Sequence, residues 1–193
     1  MSFIKKIRHL PDAIGNRITF LRFRPEYAQY PAINGRILLY SGRGGKISFG
    51  RNVRINSSLR SNPIGGDTVT ILYAQPGACI SIGNNCGISN SAIIAKTSVV
   101  IEDDVMIGGS CKIYDNDFHS VNYSERMRHP DPGIGTKPVL IRQGAFIGAH
   151  SIILKGVTIG RHSVIGAGSV VTHDVPDNEI WAGNPAVFVR RIN

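Results

Sequence analysis

Residues 141–176 read, in sixes, IRQGAF IGAHSI ILKGVT IGRHSV IGAGSV VTHDVP. The leading positions are Ile141, Ile147, Ile153, Ile159, Ile165 and Val171, all aliphatic. With Ile, Val and Leu at about a quarter of the chain, six in a row at this spacing arise by chance roughly once in four thousand trials. The fifth positions agree: Ala145, Ser151, Val157, Ser163, Ser169 and Val175 are all small or β-branched. A period of six is neither the 3.6 of a helix nor the 2 of a plain strand. β-branched runs punctuated by Gly and Asn favour short strands joined by tight corners. The physical solution is a parallel β-solenoid, in which the leading aliphatic points inward and the small fifth residue lets the chain turn without crowding the axis.

The beat extends upstream. It occurs at Ile82, Ile88 and Ile94, slips by one residue, and resumes at Ile101, Ile107 and Ile113, with traces near Phe49 and Ile55. Residues 62–77 are out of phase. We divide the chain into an N-terminal cap segment, 1–46, a β-helix, 47–176, and a C-terminal tail, 177–193. The β-helix is interrupted by a loop, 114–138.

That loop, YDNDFHSVNYSERMRHPDPGIGTKP, is polar, acidic and aromatic, and is too long for an ordinary connection. A solenoid accommodates such an insertion only at a corner, projecting outward. His119 lies at its root. Asp115 and Asp117 are read either as orienting its ring or as solvating the loop.

Composition narrows the classes. The formal charge is +9 and the hydrophobic fraction 42%. The charge favours an anionic partner, but without interleaved aromatics or a known module it does not argue for nucleic acid. Cys79, Cys86 and Cys111 show no CxxC spacing, so neither a disulfide framework nor a zinc knuckle is expected. No run is long enough to span a bilayer and no signal h-region is visible, which reads as a cytoplasmic protein with reduced thiols. His150 and His162 occupy equivalent places in their hexads and sit twelve residues apart. His9, His129 and His173 read as surface residues. SGRGGK, 41–46, lacks the P-loop spacing and reads as a turn. Phe3, Ile4, Ile7 and Leu10, opposed by Lys5, Lys6 and Arg8, suggest a short helix that ends at Pro11. It is read as a solenoid cap, with peripheral membrane contact through residues 1–10 as the alternative.

The stretch IGAHSIILKGVTIGRHSVIGAGSVVTHDVPDNEIWAGNPAVFVRR resembles the C-terminal half of hexapeptide-repeat acyltransferases, over about residues 80–191. The resemblance implies a left-handed β-helix, triangular in section, with three hexads per coil. It also implies a homotrimer with sites between subunits, and acetyl-coenzyme A as co-substrate without a metal. It places the catalytic histidine at His119, in an acidic-x-acidic-Phe-His pattern, and aligns Asn90 with an acceptor-binding asparagine of the sugar acetyltransferase branch. Asp117 is assigned to the acceptor side with it. From GAGSVVT and AGNPA the resemblance implies that the coenzyme A arm runs along Gly148, Ala149, Ala167 and Gly168. Thr172 and Arg190 are then at its nucleotide end, with Lys155, Arg161 and Arg191 as further cations. His173 and Val187 stand where the family often has basic residues. Trp181 is read as packing the chain's return in preference to stacking on adenine.

The expected activity is O-acetylation of a sugar or glycan precursor by direct transfer, with His119 as general base. N-acetylation of an amino sugar is the alternative, followed by a metal-dependent hydratase or a non-catalytic solenoid. The sequence does not specify acceptor, pathway or acyl chain.

Overall fold

A computed structural model describes residues 10–66 and 68–193. The expected helix over Phe3–Leu10 falls almost wholly on residues outside these.

After a 14-residue helix, α1 (Leu10–Phe23), strands come in threes, one per face of a prism. The first coil holds β1 (Glu26–Tyr27), β2 (Ala32–Gly35) and β3 (Leu38–Ser41). The second holds β4 (Lys46–Phe49), β5 (Arg54–Ser57) and β6 (Ile71–Ala74), and the third β7 (Cys79–Ile82), β8 (Gly87–Ser89) and β9 (Ala92–Ala95). The fourth holds β10 (Ser98–Ile101), β11 (Met106–Ile107) and β12 (Lys112–Tyr114). The fifth holds β13 (Val139–Ile141), β14 (Phe146–Ile147) and β15 (Ile152–Ile153), and the sixth β16 (Thr158–Ile159), β17 (Val164–Ile165) and β18 (Val170–Val171). First, second and third strands of successive coils pair in parallel to form sheets A, B and C. The chain is a left-handed β-helix. It closes with β19 (Glu179–Gly183), parallel to β17, and β20 (Ala186–Arg191), antiparallel to β19.

Register explains the period. Ile82, Ile101, Ile141 and Ile159 stack in sheet A, and Ile55, Ile88, Ile107, Ile147 and Ile165 stack in sheet B. Each is at most 3% exposed. Truncating one such Ile to Ala removes both transfer energy and contacts, at a cost of about 2–5 kcal/mol. The fifth residues are buried at the corners, where Ser151 and Ser169 both donate to Gly166 O and Ser163 donates to Pro176 O. The corners also need left-handed residues. Asn85, Asp104, Gly144 and His162 take positive φ at successive A-to-B corners, and Ser110, His150 and Gly168 at B-to-C corners. His150 and His162 therefore occupy turn positions on different edges.

Three differences from the sequence reading stand out. The solenoid begins at Glu26, not 47, because Ile37 and Leu39 already fill the axis although the surrounding hexads are degenerate. In sheet C the inward residue is Ile93, paired with Leu72 and Ile113, whereas Ile94 faces outward. The corner at Asn90 is one residue shorter than its neighbours, with five residues from Ile88 to Ile93. The C-to-A corner that follows is two longer, with eight from Ile93 to Ile101, so the net slip of one arises there. Residues 58–66 and 68–70 belong to a second excursion at the B-to-C corner, with a 3-10 turn at Pro63–Gly65.

The two ends are closed by aromatics. Phe20 of α1 stacks on Phe49 at 5.8 Å, and Trp181 follows Ile165 in register and packs on the core. The Trp181 indole donates to Glu179 Oε2 at 2.8 Å. SGRGGK forms a turn between β3 and β4, with Gly44 at φ +71°.

Candidate active site

The 115–138 loop leaves the C-to-A edge between β12 and β13. Its root is pinned by Asp115, which is fully buried. The carboxylate accepts from the backbone N–H groups of Lys96, Thr97 and Ser98 at 2.6–2.7 Å, and from Thr97 Oγ1 at 2.8 Å. Asp115 thus caps the corner of the preceding coil and does not orient the histidine. Asp117 Oδ1 accepts from Lys155 Nζ at 2.7 Å, tying the loop to the fifth coil and engaging a cation expected at the donor end.

His119 stands above this root with its side chain 71% exposed, its Nδ1 3.7 Å from Asp131 Oδ2. The Asp131 side chain is only 8% exposed. It accepts from Ser120 N at 2.8 Å and Gly133 N at 3.1 Å. These backbone donors, chiefly Ser120, hold its carboxyl below the usual carboxylate range, with His119 adding to the shift. The arrangement turns one ring nitrogen toward a carboxylate, at a distance longer than a hydrogen bond, and leaves the other facing away from it. Asp131 was not singled out from sequence; the loop brings it back to His119 across twelve positions. Ser120 Oγ donates to Glu125 Oε2, and α2 (Tyr123–Arg126) completes the loop. Phe118, the residue before His119 in the chain, forms a T-shaped pair with Tyr114 at 4.9 Å. Tyr114 continues an outward column on sheet C in register with Ile94, Tyr73 and Tyr40.

Asn90 lies on the B-to-C edge, fully buried beneath the second excursion. Its Nδ2 donates to Asn62 O at 3.0 Å, and its Oδ1 has no partner among the described residues. An acceptor contact at Asn90 would require that excursion to lift. Gly148, Ala149, Ala167 and Gly168 lie on the same edge. Ala149 and Ala167 stack, with Gly168 N donating to Ala149 O at 2.8 Å. Gly148 is buried; a Cβ there would lie 2.5 Å from Ala167 N, so its smallness serves coil stacking. Thr172 lies on the C-to-A edge, its Oγ1 2.8 Å from His173 Nδ1. Between it and Gly168 only β18 intervenes, a span of about 13 Å. Arg190 is exposed on β20, and Arg191 sits 3.6 Å from Glu179. The small-residue track and His119 therefore occupy different edges of one chain.

A groove of about 460 Å³ lies on sheet B between Arg54, Asn56, Asn85, Met106 and Phe146, and His119 does not line it. The cysteines are free. Burial pushes the Cys86 thiol up to about 11 and raises Cys111 likewise, which makes both poor nucleophiles. Among the described residues no three potential metal ligands converge, and no helix is long and apolar enough to cross a membrane.

Residues 138–173 match the family model of the bacterial transferase hexapeptide (six repeats). The chain is 38% identical over 104 residues to a galactoside O-acetyltransferase of Lactococcus lactis, covering 54% of this chain and 48% of that protein. The match thus spans about half the relative's length. It superposes on a hexapeptide-repeat-containing acetyltransferase of Vibrio cholerae complexed with acetyl-coenzyme A, at 35% identity and TM-score 0.55, covering 59% of this chain and 61% of that one. An N-acyltransferase from Bacillus cereus, in complex with dTDP and coenzyme A, shares the fold over 92% of this chain and 89% of its own, with TM-score 0.71 at 23% identity. The class is that of left-handed β-helix proteins with hexapeptide repeats. Within that class, the named relatives that this chain matches over about half of their length are acetyltransferases.

Proposed function

We propose that the protein is an acetyl-coenzyme A-dependent O-acetyltransferase acting on a sugar or glycan precursor, with His119 as general base. The observation that carries this reading is the His119–Asp131 contact at the root of the long loop. A sugar hydroxyl is a poor nucleophile at neutral pH. The free nitrogen of a neutral imidazole takes its proton as the oxygen attacks the thioester carbonyl. The tetrahedral oxyanion is held by backbone N–H donors. Collapse breaks the C–S bond, and the departing thiolate receives the proton from the imidazolium. The acetyl group passes directly between substrates, so no residue need act as a covalent carrier. The raised thiols of Cys86 and Cys111 accord with this.

The acceptor class is supported by the galactoside O-acetyltransferase relative and by the Tyr114–Phe118 pair at the root of the same loop, whose flat faces suit the apolar faces of a sugar ring. The donor track along Ala149, Ala167 and Gly168 is supported by its exposed, small-residue surface, with Thr172 and Arg190 toward the nucleotide. Because that track and His119 lie on different edges, the complete site belongs between subunits of a closed ring, and a trimer matches the threefold prism.

The test is release of free coenzyme A with hydroxyl and amino acceptors compared side by side. His119→Ala keeps the fold and lowers kcat/KM by about 10²–10⁴-fold. Turnover near the parent level would end the assignment, and preference for amino acceptors would move it to N-acetylation.

A further inference from the structure

The cap helix α1 has two apolar faces, and the solenoid uses only one. Gly15, Asn16 and Phe20 are buried against the first coil. On the opposite side Ile14, Ile18 and Leu21 are 53%, 58% and 77% exposed. Their spacing of i, i+4 and i+7 places them in one stripe. Arg17 and Arg22 flank that stripe on either side, both exposed. Capping requires the buried face and gives no reason for three large aliphatics on the outer one.

Charge distribution supplies the partner. Residues 1–46 carry nine Lys and Arg against only Asp12 and Glu26, so +7 of the chain's +9 lies in its first quarter. Among the described residues, none of Arg17, Arg22, Arg24 or Arg36 forms an ion pair with a carboxylate. Arg22 and Arg36 open onto one groove of about 210 Å³, shared with Ile18, Thr19 and Tyr40. Arg36 reaches it by lying across the helix at Gly15, where any Cβ would collide with its guanidinium. Two unpaired guanidinium groups beside an exposed aliphatic stripe match a surface that is anionic outside and apolar just beneath.

We propose that the outer face of α1 docks the protein on an anionic lipid bilayer. Ile14, Ile18 and Leu21 enter the boundary between headgroups and acyl chains, and Arg22 and Arg36 take lipid phosphates, while Arg17 lies over the Tyr30 ring at 3.9 Å. The site is separate from His119 and does not depend on the acetyl-transfer reading.

The test is co-sedimentation of the full chain with vesicles of phosphatidylcholine containing about 30% phosphatidylglycerol, against phosphatidylcholine alone. The parent protein sediments with the anionic vesicles and not with the neutral ones, and 0.5 M salt weakens binding. Ile18→Glu with Leu21→Glu, and separately Arg22→Glu, lower the partition constant at least about tenfold with an unchanged melting temperature; both alter exposed positions. Parent protein left in the supernatant of anionic vesicles, or variants that sediment as well as the parent, would overturn the proposal. So would a fall in the mass of the lipid-free protein, measured by sedimentation velocity, on introducing the Ile18→Glu and Leu21→Glu changes; that result makes the stripe a contact between copies of this chain.

Discussion

His119 Nδ1 faces the carboxylate of Asp131 at 3.7 Å, and Asp131 is held in turn by the backbone N–H groups of Ser120 and Gly133. A carboxylate so placed favours the tautomer with its proton on Nδ1 and leaves Nε2 as the acceptor. Asp131 is a positioning residue in this arrangement. Asp131→Asn keeps an acceptor oxygen for Ser120 and loses the charge. We expect kcat to fall by about 10–100-fold, with KM for acetyl-coenzyme A within about twofold. A matched rise in KM with kcat unchanged would mean that Asp131 merely shapes the loop.

The depressed acidity of Asp131 sets a pH window. Its folded-state pKa lies below the unfolded value, so its contribution to loop order is fully present above the ordinary carboxylate range. That contribution is lost only as pH falls through the depressed value. Amide exchange at Ser120 and Gly133 is therefore expected to stay slow through neutral and mildly acidic pH and to accelerate only in stronger acid. The comparison needed is hydrogen exchange on the parent and Asp131→Asn, corrected for the intrinsic pH dependence of exchange. Loss of protection already near neutral pH would contradict the assignment.

Asp115 serves stability. Its removal strips a buried acceptor from three backbone N–H groups at one corner. Asp115→Ala should cost about 3–5 kcal/mol. In a chain of this length that lowers the melting temperature by roughly 6–20 °C. A shift under about 2 °C would mean that water replaces the carboxylate, as it does for an exposed cap.

Sharing of the site between subunits is open to a complementation experiment. His119→Ala removes the base, and Ala167→Trp fills the exposed donor track without entering the core. Each variant alone should be inactive. Co-assembled at equal ratio, they should regain about a quarter of parental activity, because one neighbouring pair in four carries both intact halves. Mixtures as inactive as either variant would show that each chain carries a complete site.

Thiol chemistry gives an independent check on packing. Cys86 donates to Glu102 O and Cys111 to Gly148 O, both within the column, while Cys79 is partly exposed. Labelling of the native protein by an alkylating reagent should stop at one thiol and reach three only on unfolding. Rapid labelling of two or three in the native state would place the corner residues wrongly.

Much of this molecule was legible in a six-residue rhythm. That rhythm is local, because every coil repeats the same inward aliphatic and the same small corner residue. It specified the solenoid, its stacked columns, the loop at 114–138 and His119 at its root. Where hexads are degenerate, around Ile37, or shortened, at Asn90, the rhythm misjudged the start of the helix and the phase of Ile93. There, burial against neighbouring coils decides which residue points inward. Only the tertiary structure set Asp131 beside His119, gave Asp115 to the corner amides, paired Asp117 with Lys155, and laid the second excursion over Asn90. These are contacts between segments whose separation in sequence carries no period. A repeat announces what each residue does for its own coil, but only the folded prism determines which side chains meet across an edge.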